Sequence, residues 1–190
     1  WCIRYGDKNA DGNPILSLSD IPDLLQVHNK PITEEKKDSV EALNSMIGLS
    51  SVKERINDLR RNIIFEGKTD PGHYIFVGNP GTGKTTVARL LGDIFCSIGV
   101  LRRGQVIEVT REDLVSEHVG GTAKKTRKVI EKALDGVLFI DEAYRLFETG
   151  TDHNYGQEAI DTLVAMMENN RDRLCVICAG YPGPMNNFMN

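Results

Sequence analysis

Two short strings in this 190-residue chain carry residue types that can handle a phosphate. Gly78, Asn79, Pro80, Gly81, Thr82, Gly83, Lys84, Thr85 and Thr86 fit the pattern GxxxxGK[ST]. Successive backbone N–H groups over residues 81–86 wrap a β-phosphate only if no side chains crowd the turn, which accounts for Gly81 and Gly83. Pro80 has no N–H to offer and stiffens the approach. Lys84 is suited to place its ammonium between the β- and γ-phosphates, Thr85 to complete the shell of a Mg²⁺ ion with its hydroxyl, and Thr86 to meet the α-phosphate. The second string, VLFIDE, ends in Asp141 and Glu142. Asp141 is suited to hold Mg²⁺, usually through water, and Glu142 to polarise an attacking water. Alone, such a pair is more often a helix N-terminal charge pair. Together the strings predict ATP and Mg²⁺ as ligands, with Lys84 and Glu142 in the chemistry.

These residues need rigid elements to hold them. The apolar run Tyr74, Ile75, Phe76, Val77 predicts a strand feeding the glycine-rich loop. Val87, Leu90, Leu91, Ile94 and Phe95 follow at helical spacing, so the loop opens a helix whose N-terminus faces the phosphate. Residues 137–140 are continuously apolar, the mark of a central parallel strand buried on both faces, and they deliver the acidic pair to its carboxyl end. The chain between Lys84 and Asp141 has room for helix, strand and helix, with the strand at 105–109, a loop at 110–121 and a helix at 122–134. A helix at 157–169 carries Ile160, Leu163, Val164 and Met167 as a core stripe, and a last strand at 174–178 ends in Ala179, Gly180 and Tyr181. Before the first strand, Val52, Ile56, Leu59 and Ile63 predict a helix capped by Ser50 or Ser51. Four strands alternating with helices predict a doubly wound parallel α/β sheet of the P-loop NTPase type.

Composition narrows the function classes. With 40% hydrophobic and 26% charged residues the chain can bury a core and is not of disordered composition. No run approaches membrane-spanning length, and a net charge of −4 supplies no electrostatic footprint for nucleic acid. The expectation is a cytoplasmic protein with no membrane and no nucleic-acid partner. The four cysteines, Cys2, Cys96, Cys175 and Cys178, fit a reducing compartment. Cys175 and Cys178 have CxxC spacing but lie in a strand-like run, where i and i+3 face opposite sides, so buried thiols are expected rather than a metal or redox pair. Residues 1–42 read as a turn-rich appendage and a charged linker, and 43–190 as the nucleotide-binding core.

The strings LNSMIGLSSVKERI, GNPGTGKTTVARLLG, DLVSEHVGGTAKKT, VLFIDEAYRLF and YGQEAIDTLVAMMENNRDRLCVICAGY together resemble the AAA+ ATPases, in the CbbX (red-type rubisco activase) and SpoVK branch. The resemblance covers residues 43–185 and is most specific in DEAY, YGQEA and MENNRD. It implies an ATP-driven homo-hexamer that threads or tugs a protein partner through a central pore, and a strand order 2-3-4-1-5. It places Ile47 and Gly48 near the adenine, although a turn before a helix explains them equally well. It puts Tyr181 where a sensor-1 residue contacts γ-phosphate or water; a core aromatic is the alternative. Glu117, His118, Val119 and Gly120 match the first pore loop, with His118 where the family usually has an aromatic, or else as a plain exposed loop histidine. Lys124, Lys125, Arg127 and Lys128 form either a basic rim or a solvated helix face.

The resemblance further implies that the fifth strand, the arginine finger and the helical lid lie outside these residues. The chain alone is then expected to bind nucleotide weakly, hydrolyse it little and remain monomeric, with the edge of its first core strand exposed. Rival classes are a nucleotide switch without efficient hydrolysis, a small-molecule kinase, and a nucleic-acid-acting P-loop ATPase. The imidazole of His118 offers a smaller apolar grip than a phenol and changes charge near neutral pH, which weakens threading or tunes it to acidic segments. His118→Tyr in the full-length protein should therefore raise protein-stimulated ATP turnover, and unchanged stimulation would remove this role.

Overall fold

Short β-branched and aromatic runs pair into a parallel sheet because only apolar strands can be covered on both faces. The computed structural model describes residues 7–8, 14–15, 38–46, 49–66, 70–118, 120–147 and 155–188. Near the start, Asp7–Lys8 (β1) and Pro14–Ile15 (β2) form a small antiparallel ladder. The main sheet consists of Tyr74–Val77 (β3), Val106–Val109 (β4), Val137–Ile140 (β5) and Cys175–Gly180 (β6), in the order β3-β6-β5-β4. All three pairings are parallel. In core-strand numbering this is 2-3-4-1, matching the first four places of the order that the resemblance implies.

Alternation along the central strands divides the core. Val137, Phe139, Cys175, Ile177 and Ala179 face one side, where Asp38–Ser45 (α1), Ser50–Glu66 (α2) and Lys84–Ser97 (α3) supply Leu43, Ile56, Ile63, Leu91, Ile94 and Phe95. Leu138, Ile140, Leu174 and Val176 face the other. That side is covered by Arg111–Leu114 (α4), Thr122–Ala133 (α5), a 3-10 helix at Ala143–Phe147 and Tyr155–Asn169 (α6), with Phe188 of Pro182–Phe188 (α7) packed against it. Each fully buried Leu, Ile or Phe stabilises the fold by about 1.5–3 kcal/mol. The cysteines follow this division: Cys175 joins the first cluster and Cys178 packs against the second. Both thiols are free, and burial pushes Cys178 up to about 11 and Cys175 higher still.

Several sequence expectations need correction. The loop expected at 110–121 contains α4, started by a capping box in which Thr110 and Asp113 bond each other's backbone. That box was legible as Thr-x-x-Asp. Neither Ser50 nor Ser51 precedes α2; Leu49 does, at φ 57°, and its carbonyl accepts the Lys53 N–H at 2.9 Å. The last strand runs two residues further than expected, to Gly180, because it pairs with the whole of β3. Val164 is 59% exposed, and the inward face of α6 is made by Gly156, Ala159 and Leu163. Helix α1 crosses the boundary expected at residue 42, and Val40 and Leu43 already pack in the first cluster. Residues 1–6, Cys2 among them, lie outside the described residues.

Strand β3 pairs only with β6 among the described residues, and its Ile75 and Val77 are 47% and 44% exposed. The ladder at its base is continued by a side chain: His73 Nδ1 accepts the Val176 N–H at 3.1 Å. Burial lowers the His73 pKa from 6.5, outweighing the opposite pull of Asp70. A native pKa below the unfolded value means that the unfolded chain binds more protons, so this contribution is complete above pH 6.5 and is lost as pH falls below it. The urea midpoint should therefore drop between pH 7.5 and 5. His73→Leu should cost about 1 kcal/mol at pH 7.5 and flatten that dependence; an unchanged slope in the variant would show that His73 is not its source.

Candidate functional site

The carboxyl ends of three adjacent strands bring the predicted residues together. Residue 78 leaves β3 while still bonded to the sheet, its N–H donating to the Gly180 carbonyl at 3.1 Å. The turn then passes through Gly81 at φ 74° and Gly83 at φ 83°, the left-handed region that a Cβ penalises. Asn79 closes it by accepting the Thr82 hydroxyl at 2.8 Å and the Thr82 N–H at 3.4 Å. Gly83 is the N-cap of α3 and contributes no side-chain cap, so first-turn N–H groups remain available at the positive end of a 14-residue helix.

Lys84 Nζ bridges this loop, donating to Gly78 O at 2.9 Å and Asn79 O at 3.1 Å. It also lies 5.3 Å from the centre of the Tyr181 ring, a cation–π distance. Tyr181 reaches that place because β6 is inserted between β3 and β5, so the residue after Gly180 emerges between the glycine loop and the acidic pair. Thr85 is partly buried, while Thr86 and Pro80 are exposed. Ile47 and Gly48 lie outside the described residues; Met46, just before them, has its Cε 3.5 Å from where a Cβ on Gly83 would stand.

On the other side of β6, the Asp141 N–H donates to Val109 O at 2.9 Å and extends the β4–β5 ladder by one rung. Its Oδ1 accepts the Glu142 N–H at 3.0 Å. Glu142 turns sharply, at φ 50°, and its Oε2 meets Arg145 Nε at 2.8 Å. Tyr144 stacks at a tilt on Tyr181, ring centres 6.2 Å apart. Burial and then the Glu142 carboxylate push the Tyr144 phenol above its ordinary value. Tyr144 and Arg145 were missed as site residues; the i, i+3 spacing of Glu142 and Arg145 was the available signal.

This geometry fits a polyphosphate with a hard cation. The bare glycine turn offers N–H donors, Lys84 an ammonium, and Thr85 and Asp141 oxygen ligands of the type Mg²⁺ takes. Among the described residues no group of three or more His, Cys, Asp or Glu side chains gathers that could hold a metal ion. His118 sits in an exposed turn in which its N–H donates to Ser116 Oγ and its carbonyl accepts the Gly121 N–H, both at 3.1 Å. Lys124, Arg127 and Lys128 are exposed on α5, whereas Lys125 is tied to the carbonyls of Glu112 and Val115.

Comparison with known proteins gives one family and a set of relatives. The family model described as "ATPase family associated with various cellular activities (AAA)" matches residues 74–186. Protein CbbX of Cereibacter sphaeroides is 45% identical over 162 residues, covering 80% of this chain and 52% of the relative. The ESX-3 secretion system protein EccA3 of Mycobacterium tuberculosis is 46% identical over 157 residues, 78% of this chain and 25% of the relative. A chloroplastic ribulose bisphosphate carboxylase/oxygenase activase of Cyanidioschyzon merolae is 45% identical over 152 residues, 75% and 52% respectively. The chain thus spans between a quarter and about half of the length of these relatives. The solved FIGL-1 AAA domain aligns with a TM-score of 0.51 at 19% identity, covering 78% of this chain and 54% of that one, a likeness of fold.

Removing the ammonium tests the cradle. Lys84→Ala should weaken binding of a fluorescent adenine nucleotide roughly 10- to 100-fold, the loss expected of a charge-assisted hydrogen bond. Unchanged affinity would place the phosphates elsewhere.

Proposed function

The chain belongs to the AAA family of ATPases, and on that premise we propose that it binds ATP with Mg²⁺ at the carboxyl edge of the sheet and hydrolyses the nucleotide to drive remodelling of a protein partner. The observation that supports this most is the convergence of Lys84, the Asp141–Glu142 pair and Tyr181 on three neighbouring strand ends. In this reading the N–H groups of residues 81–86 receive the β-phosphate, helped by the α3 dipole. Lys84, already spanning the loop, exchanges carbonyl partners for β- and γ-phosphate oxygens. Thr85 and Asp141 hold Mg²⁺, which when bound draws charge from the transferring phosphoryl group. Glu142 orients the attacking water and accepts its proton, while the Tyr181 phenol reaches toward the γ-phosphate or that water.

The motor role rests on family membership together with the pore-loop segment around His118. A homo-hexamer of the full-length protein, with a neighbouring subunit's arginine and a helical lid completing the site, belongs to this reading. The relatives' names point to different tasks, a ribulose bisphosphate carboxylase/oxygenase activase and an ESX-3 secretion system protein, although they share this core at similar identity. Partner choice therefore belongs to parts beyond the shared core. A cytoplasmic location fits the free thiols, and among the described residues no helix is long and apolar enough to cross a membrane.

Glu142→Gln in the full-length protein separates binding from chemistry. It should retain ATP, lose turnover by roughly 100-fold or more as removal of a general base does, and hold its partner long enough for mass spectrometry. Capture of nucleic acid alone, or unimpaired turnover, would overturn the proposal.

A further inference from the structure

Glu142 is gripped twice by one residue. Arg145 binds its Oε2 through Nε at 2.8 Å, and the Arg145 N–H donates to the Glu142 carbonyl at 2.9 Å. The grip is built on a rigid base. Ala143 and Leu146, on either side of Tyr144 and Arg145 in the 3-10 helix, are buried in the second cluster. The start of α6 presses on the same turn so closely that a Cβ at Gly156 would stand 1.9 Å from the Leu146 carbonyl oxygen. Tyr144 then links the turn to Tyr181, and Tyr181 to Lys84. A side-chain chain thus runs from Arg145 through the acidic residue and two tyrosines to the phosphate-binding lysine.

Electrostatics explain why a cation belongs here. Glu142 directly follows Asp141, and a polyphosphate adds further negative charge, so an unsupported carboxylate would be driven away from the site. Arginine is apt because its planar guanidinium keeps its charge and fixes direction as well as distance.

We infer that Arg145 is a positioning residue for Glu142, holding the carboxylate at the carboxyl edge in the orientation from which it directs water onto the γ-phosphate. The inference rests on the hydrolytic reading above and adds to it a residue that acts through Glu142 without touching the nucleotide.

Single-turnover ATP hydrolysis by the full-length protein in excess over nucleotide tests it, with affinity for a fluorescent ATP analogue and the thermal midpoint measured alongside. Arg145→Gln, which keeps most of the side-chain volume, should slow hydrolysis at least about tenfold, as loss of orientation does, with affinity and midpoint little changed. Arg145→Lys should recover part of the rate. In a Glu142→Gln background, Arg145→Gln should have no further effect. An unchanged or faster rate, an equal loss in affinity, or additive losses in the double variant would overturn the inference while leaving the hydrolytic reading standing. No hydrolysis by the unsubstituted full-length protein would overturn both, and that result is recognised without any Arg145 variant.

Discussion

The site depends on one backbone hydrogen bond, from the N–H of Gly78 to the carbonyl of Gly180 at 3.1 Å. It continues the ladder that pairs Val77 with Gly180 and so determines where the chain leaves β3 for the glycine turn. Tyr181 leaves β6 at the same level, which brings its ring under the Lys84 ammonium. On the far side of β6, Ile140 pairs with Cys178, so the acidic pair emerges close to that level too. A one-residue slip in either ladder would turn each core side chain to the opposite face and move the loop away from its partners. Burial of both sheet faces makes such a slip costly, and that burial secures the register.

The opposite edge of the sheet has its own fastening. Asp135, at φ 66°, gives both carboxylate oxygens to Arg173 at 2.8 and 2.9 Å, and its N–H donates to the Arg173 carbonyl at 2.7 Å. The Arg173 guanidinium holds the Asp135 carboxyl below its ordinary range. The pair joins the turn before β5 to the turn before β6, so the strands that carry Glu142 and Tyr181 start in register as well as end in it. Partial exposure of Arg173 limits what the ion pair adds to stability, to about 1 kcal/mol or less. Its larger role is geometric.

Local conformation follows the chemistry of individual positions. Gly81 and Gly83 take left-handed angles at little cost, whereas Glu142 takes one despite its side chain and is held there by bonds to its own turn. The contrast separates a turn kept free of side chains from a turn that fixes the direction of a carboxylate. The β3 edge differs again: its two outward apolar residues are only half-covered among the described residues, and His73 supplies a ladder acceptor from a side chain.

The glycine loop, the acidic pair and the four strands were legible in the amino-acid sequence because each is written within a few residues: a turn that tolerates no Cβ, an apolar run, a helical stripe. The opposite faces taken by Cys175 and Cys178 were legible for the same reason, since alternation along a strand is local. Val164 was misread because helical spacing gives the width of a stripe but not how far the facing sheet extends. His73 on Val176 and the ring of Tyr181 beneath Lys84 were beyond reach of the sequence. Each joins segments about a hundred residues apart, and their meeting depends on β6 lying beside β3. Local propensity determined what each segment is. Strand order and register, set by the summed burial of both sheet faces, decided which segments meet and therefore which side chains share a site.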